Sequence, residues 1–270
     1  VFKINFKELK WFIILVGFTY YMYYLISTKK LYLFIHPRMT IYIYFSLFIF
    51  IILALLQVKK IFKVRGGNVK AASTIFLLPL VLVCIVNPQG LNGDIAAQKG
   101  YSTNGYTVES SKSSTTTPAA SKLEESSISG LKGNLIKPNE QNYSDVVNEI
   151  MYNGKKYKGK NITLGGFVYK DGSFPKDTFV LGRMLIICCA ADAELVGLAV
   201  KMDNSKLQND QWVEITGVID VMPNFDKNDT DNKTIPVIKV TKVKAMIKPS
   251  NPYIYLKGST GGSSTPTPGV

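Results

Sequence analysis

Two apolar runs without a single charged residue, from about Trp11 to Ser27 and from about Thr40 to Val58, limit this chain more than any other feature. A helix needs roughly 20 apolar residues to cross a bilayer, and about 17 can suffice. Both runs meet that length, so the N-terminal part reads as membrane helix and not as the core of a water-soluble domain. A third run, from Ala71 to Val86, is shorter and ends at Asn87-Pro88. It reads as a third span, with a re-entrant or interfacial segment as the other option. Residues 1–91 are therefore expected to form a transmembrane helical domain with spans at about 11–27, 40–58 and 71–86. A cleavable signal peptide fits poorly, because several apolar segments occur and no small-residue cleavage site follows the first.

Charge supplies the orientation. The chain carries a net charge of +13, and residues 1 to 70 hold eleven Lys or Arg against one acid, Glu8. Lys and Arg are retained on the cytoplasmic side. Lys3, Lys7 and Lys10 precede the first span, and Lys59, Lys60, Lys63, Arg65 and Lys70 follow the second, so both flanks belong inside. The loop between them carries Lys29, Lys30 and Arg38, which narrows the contrast without reversing it. Three spans then put the C-terminal part outside a plasma membrane. Tyr20, Tyr21, Tyr23, Tyr24, Tyr32 and Phe34 fit an outer aromatic belt at headgroup depth.

Residues 92–139 lose all apolar periodicity and turn to Ser, Thr, Gly, Lys and Pro, which reads as a disordered tether. Residues 258–270 have similar composition and read as a tail, native or added. Between them, residues 140–257 read as a small soluble α+β domain. Asn142 with Asp145 three residues on predicts a capped helix over Tyr143 to Tyr152, with Val146, Val147 and Ile150 inward. Strands are predicted at Asn161–Tyr169, Thr178–Cys189, Gly197–Met202, Trp212–Val221 and Pro236–Met246. Gly165-Gly166 would allow the coiling that a closed barrel requires. The fold class is thus membrane-anchored α+β, with three transmembrane helices, a preceding helix and a small OB-like β-barrel.

The most chemically specific motif is Cys188-Cys189, which closes one predicted strand and leads into Ala190-Ala191-Asp192. Successive strand residues face opposite ways, so both thiols cannot fill one core without a bulge or kink. Three readings stay open. The thiolates suit a soft metal ion, with Asp192 as third donor, but a structural zinc site takes four ligands, so the ion would be shared with a partner, a second copy or a substrate. A strained vicinal disulfide would be a redox element. A purely structural reading packs one thiol in the core and the other under a loop. Asp192 has its own structural explanation, capping a short helical turn over Ala193 to Val196.

His36, the sole histidine, sits in Ile35-His36-Pro37-Arg38. A metal or proton role competes with the simpler role of a polar residue ending a helix before a Pro turn. Cys84 reads as a small hydrophobe. The loop from Asn224 to Asn232 has hard-ion donors but lacks a terminal Glu and the sharp-turn Gly, so it reads as a solvated hairpin loop. From Lys132 to Ser250, seventeen basic residues face fourteen acids. This near-neutral balance argues against nucleic acid, although Phe167, Tyr169, Phe174, Phe179 and Phe225 offer stacking rings. With no His in the domain, no catalytic constellation and no cofactor-binding loop is read.

The order of motifs resembles a known family. Tyr32-Leu33-Phe34-Ile35-His36-Pro37-Arg38, then Ile162-Thr163-Leu164-Gly165-Gly166-Phe167-Val168, then Ile186-Ile187-Cys188-Cys189-Ala190-Ala191-Asp192-Ala193, Trp212-Val213-Glu214-Ile215-Thr216-Gly217 and Asn251-Pro252-Tyr253-Ile254-Tyr255 are similar to the YcgQ-like bacterial membrane proteins, over essentially residues 1–257. The resemblance implies a permease subunit paired with a multi-span permease, in Gram-positive bacteria, and points to His36, Cys188, Cys189 and Asp192 without giving them roles. The expectation is an accessory, non-enzymatic subunit in the lipid bilayer whose outer domain meets the permease or its cargo, with Arg38 beside His36 as a loop candidate. A thiol-redox protein or an envelope-binding protein with inert cysteines is the alternative, and a homo-oligomer stays open.

Overall fold

A computed structural model describes residues 6–61, 75–85, 90–91, 93–99, 101, 134–203, 205–226, 229 and 232–255. The chain divides into two compact units, Val1–Gly90 with Cys188–Ala190, and Leu91–Ile187 with Ala191–Val270.

In the first unit, α1 (Phe6–Ser27) and α2 (Thr40–Ile61) each run for 22 residues. At 1.5 Å per residue each is about 33 Å long, enough for a ~30 Å hydrocarbon layer. Their apolar side chains face outward: Ile41, Phe45 and Leu55 are exposed. A helix meets its own backbone hydrogen bonds, so such a surface is stable in lipid, where an apolar exterior costs nothing. The two helices meet through the Phe18 and Phe50 rings, 6.4 Å apart. Gln57, buried, donates from Nε2 to Glu8 Oε2 at 2.6 Å. Between them Lys29 takes a left-handed conformation (φ 56°), and short 3-10 turns follow at Lys30–Leu33 and Pro37–Met39.

Of the third apolar run, Leu77–Ile85 forms α3. Its nine residues span only about 13 Å, so among the described residues two helices, not three, are long enough to cross. Residues 71–74 and 86 lie outside the described residues, as do Lys3, Lys63, Arg65 and Lys70. α3 lies close to α1 where Gly17 lacks a side chain; a Cβ there would stand 2.9 Å from Leu80 Cδ1.

The second unit contains α4 (Gly93–Lys99), β1 (Leu135–Ile136), α5 (Tyr143–Tyr152), α6 (Gly154–Tyr157), β2 (Asn161–Tyr169), β3 (Thr178–Ile186), β4 (Glu194–Lys201), β5 (Trp212–Pro223), β6 (Thr234–Ala245) and β7 (Ile254–Tyr255). Five of the strands close on themselves in the order β2-β5-β6-β4-β3 and back to β2. Every pairing in this ring is antiparallel except β4–β6, which is parallel. Closure rests on β2, which pairs with β5 over Asn161–Phe167 and with β3 over Phe167–Tyr169. At the changeover, Gly166 lets the Gly182 backbone come closer than any Cβ would allow. Of the predicted glycine pair, Gly166 is thus the one on which closure depends.

The interior is filled by Ile162, Leu164, Phe179, Leu181, Leu198, Ile215 and Ile238, all fully or almost fully buried, and α5 packs Val146, Val147 and Ile150 on the same cluster. Each such side chain contributes about 1.5–3 kcal/mol by leaving water. The helix has the predicted span, but Asn142 forms no side-chain cap. Its Oδ1 instead accepts the N–H of Asn139 at 2.7 Å, a local bond that competes with capping. β3 stops at Ile186, short of the cysteines, and β4 begins at Glu194, three residues before the predicted start.

Just before the stretch read as a tether, the N–H of Leu91 donates to Tyr253 Oη at 2.6 Å; within it, the N–H of Gly93 donates to Asp210 Oδ1 at 2.5 Å and Tyr101 Oη to the Gly197 carbonyl at 3.1 Å, so these residues lie against the barrel. Residues 102–133 and the tail, 258–270, lie outside the described residues.

Candidate functional site

The β3–β4 connection holds the cysteine pair. After Ile186 the chain bends through Ile187 and Cys188, makes a 3-10 turn at Ala190–Asp192, buries Ala193 and re-enters the sheet at Glu194. Asp192 does not cap a forward turn as predicted. Its Oδ1 accepts the N–H of Ile187 at 3.0 Å and closes the loop backward, because the chain enters strand at Glu194 and offers no helical turn after Asp192. This bond fixes the carboxylate at the base of the loop.

Neither thiol lies in the core: Cys188 is exposed, Cys189 half-buried, and neither is in a disulfide. One ligand atom from each of Cys188, Cys189 and Asp192 lies within 4.8 Å of the others. A tetrahedral site with metal–sulfur bonds near 2.3 Å needs ligands about 3.8 Å apart, so these three donors fit one ion after a small closure. They leave a fourth position open.

In the first unit, the motif around His36 meets the cysteine pair through backbone. Ile35 and Cys189 form an antiparallel bridge, the His36 N–H donates to the Cys188 carbonyl at 3.0 Å, and the Ala190 N–H donates to the Phe34 carbonyl at 2.7 Å. His36 is buried, and its Nδ1 accepts the N–H of Arg38 at 3.0 Å, which caps the Pro37–Met39 turn. The imidazole therefore acts as a turn-forming group, and the Arg38 side chain is exposed.

The other sequence candidates have structural duties. Phe179 is core, Phe167 packs on Trp212 with centroids 6.0 Å apart, and Phe174 stacks between Tyr169 and Phe225 at 5.7 and 4.8 Å. Burial, with Asp171 close by, pushes the Tyr169 phenol up to about 12. In the hairpin between β5 and β6, Asn224 Nδ2 donates to Asp229 Oδ2 and to the Asn232 carbonyl, both at 2.9 Å; residues 227, 228, 230 and 231 lie outside the described residues. For Cys84, the side chain is also outside them. Sequence reading missed Arg183, a cation in the middle of the apolar run Phe179 to Ile187, and that interruption was the available signal.

Two family models match the chain. Residues 11–102 match the DUF1980 N-terminal domain and residues 113–256 the DUF1980 C-terminal domain. A Streptococcus mutans protein named as a subunit of a two-component membrane permease complex is 28% identical over 272 aligned residues, covering 90% of this chain and 98% of that protein. The UPF0703 protein YcgQ of Bacillus subtilis is 30% identical over 109 residues, 40% of this chain and 37% of that protein.

Proposed function

The chain belongs to the DUF1980 family of YcgQ-like proteins, and from that premise we propose that it is an accessory, non-enzymatic subunit of a membrane permease complex. Its C-terminal barrel lies outside the cell membrane, and the β3–β4 loop meets the permease or its cargo. The similarity to the S. mutans protein extends across both units, which favours a shared role over a shared module. The five-stranded ring, with one parallel pair, supports the OB-like reading of the barrel.

The observation that carries the reading is the convergence of Cys188, Cys189 and Asp192 in an accessible loop. Two thiolates and a carboxylate suit a soft ion, and a fourth donor from the permease or from a second copy would make capture depend on assembly. The lysines and arginines that flank the first two spans, with a crossing at the third apolar run, support the outer location.

Two measurements test this. Metal titration of the reduced chain with its permease should show one soft ion bound. Cys188→Ser should weaken binding by more than the roughly 10–100-fold that outer-shell partners carry. No thiol-dependent binding removes the metal reading, and reversible dithiol–disulfide conversion in its place assigns the pair to redox chemistry. In a Cys84→Ala background, an impermeant maleimide should label positions 188 and 189 on intact cells. Labelling only after permeabilisation places the barrel inside.

A further inference from the structure

Arg183 lies mid-way along β3, opposite Val196 on β4, and only 8% of it is exposed. Its guanidinium carbon stands 5.6 Å from the centre of the Tyr143 ring and 5.4 Å from that of Trp212. Ring contact favours the cation, yet it leaves the N–H groups at the guanidinium edge to find acceptors elsewhere. Among the described residues no carboxylate pairs with Arg183. Its Nε is enclosed without a hydrogen-bond partner, and so is the hydroxyl of Tyr143. Burial holds the Tyr143 phenol above its usual range, against the opposing pull of Arg183, so at neutral pH it keeps its proton and can donate.

A buried donor without an acceptor is costly, more so when charged, and native proteins rarely keep two on adjoining side chains. We propose that Arg183 and Tyr143 form a carboxylate-binding site in the barrel unit, with the Trp212 ring as one wall. Both are donors, so the missing group is an acceptor. One guanidinium is the charged donor described here, which matches the single charge of a carboxylate better than a phosphate dianion. The planar fork of an arginine suits two carboxylate oxygens, and a lysine cannot copy it. This site is independent of the cysteine loop, so its failure would leave the permease reading untouched.

The sequence has two tryptophans, so a Trp11→Phe background leaves Trp212 as the sole reporter. The full chain in nonionic detergent is titrated with sodium acetate, and with sodium chloride at matched ionic strength. A saturable change in Trp212 emission is expected with acetate and none with chloride. Arg183→Lys should weaken the response at least about 10-fold, and Tyr143→Phe about 10-fold, with near-UV circular dichroism unchanged. If Arg183→Lys fails to fold, Tyr143→Phe alone decides. The proposal is overturned if acetate gives no saturable response, as an enclosed water satisfying both donors would predict. It is also overturned if folded Tyr143→Phe binds acetate as well as the parent, or if inorganic phosphate binds more tightly than acetate.

Discussion

Phe48 on α2 and Phe179 on β3 are the same side chain in opposite settings: one is 60% exposed, the other fully enclosed. The difference runs through both units. In the helices, apolar residues cover the outside, and polar contact between Gln57 and Glu8 sits at the helix–helix seam. In the barrel, apolar residues fill the inside, and among the described residues Arg183 is the one charged side chain buried with them. Apolar surface therefore stabilises the first unit chiefly through its solvent, the lipid, and the second through packing of protein on protein. The helix pair should be sensitive to lost polar contacts and tolerant of lost apolar volume, and the barrel the reverse.

The largest expected effect comes from making one substitution in both places. Phe179→Ala opens a void in a close-packed interior and should destabilise the barrel by about 3–5 kcal/mol. Phe48→Ala removes a side chain from a surface and should cost within about 0.5 kcal/mol. Denaturant unfolding of the full chain in detergent measures both. An equally large loss for Phe48→Ala would break the comparison, because it would mean that Phe48 packs on protein.

How far the sequence revealed each setting follows from the kind of signal involved. The two long spans and the helix over Tyr143 to Tyr152 were legible because their apolar residues follow a simple rule of length or period. Strand positions were legible for the same reason, and β2 was read with the right ends. The end of β3 was not, since Ile187-Cys188-Cys189 continues an apolar run that the backbone leaves at Ile186. Local polar exchanges also escaped: Asn139 takes the Asn142 side chain away from its cap, and Asp192 turns back to Ile187. Both outcomes depend on which amide the folded backbone brings close to the side chain, which residue spacing does not encode. The site residues Cys188, Cys189 and Asp192 stood out by type, whereas the backbone pairing of Ile35 with Cys189 joins positions far apart in the chain and follows from no local pattern.

A middle-sized effect tests the seam of the helix pair. Gln57→Ala removes the donor that meets Glu8 Oε2 and should cost about 0.5–2 kcal/mol, the range for hydrogen bonds between membrane helices. The readout is the midpoint of unfolding as sodium dodecyl sulfate is titrated into mild detergent. Should Gln57→Ala be silent while Phe48→Ala is costly, the contrast between the units would be inverted.

The smallest effect sharpens the contrast by way of charge. On the barrel surface Asp220 is bonded by Lys239 at 2.5 Å and Lys158 at 2.9 Å, with the Val221 N–H at 2.9 Å. Hydrogen bonds from Lys239, then Lys158, then that amide hold its carboxyl well below the ordinary carboxylate range. A carboxylate whose folded value lies below its unfolded one stabilises the fold above the unfolded value, near 4. That contribution fades as pH falls toward the folded value. Asp220→Asn should therefore lower Tm slightly at pH 7, and the gap from the parent should narrow below about pH 4. Both lysines are largely exposed, so 1 M salt, with a screening length of about 3 Å, should narrow the same gap at pH 7. The loss in Gln57→Ala should not change with salt, because that contact sits within the helix seam. If salt erases the Gln57→Ala loss and spares the Asp220→Asn one, the seam is open to water and α1 and α2 do not meet as lipid-embedded helices do.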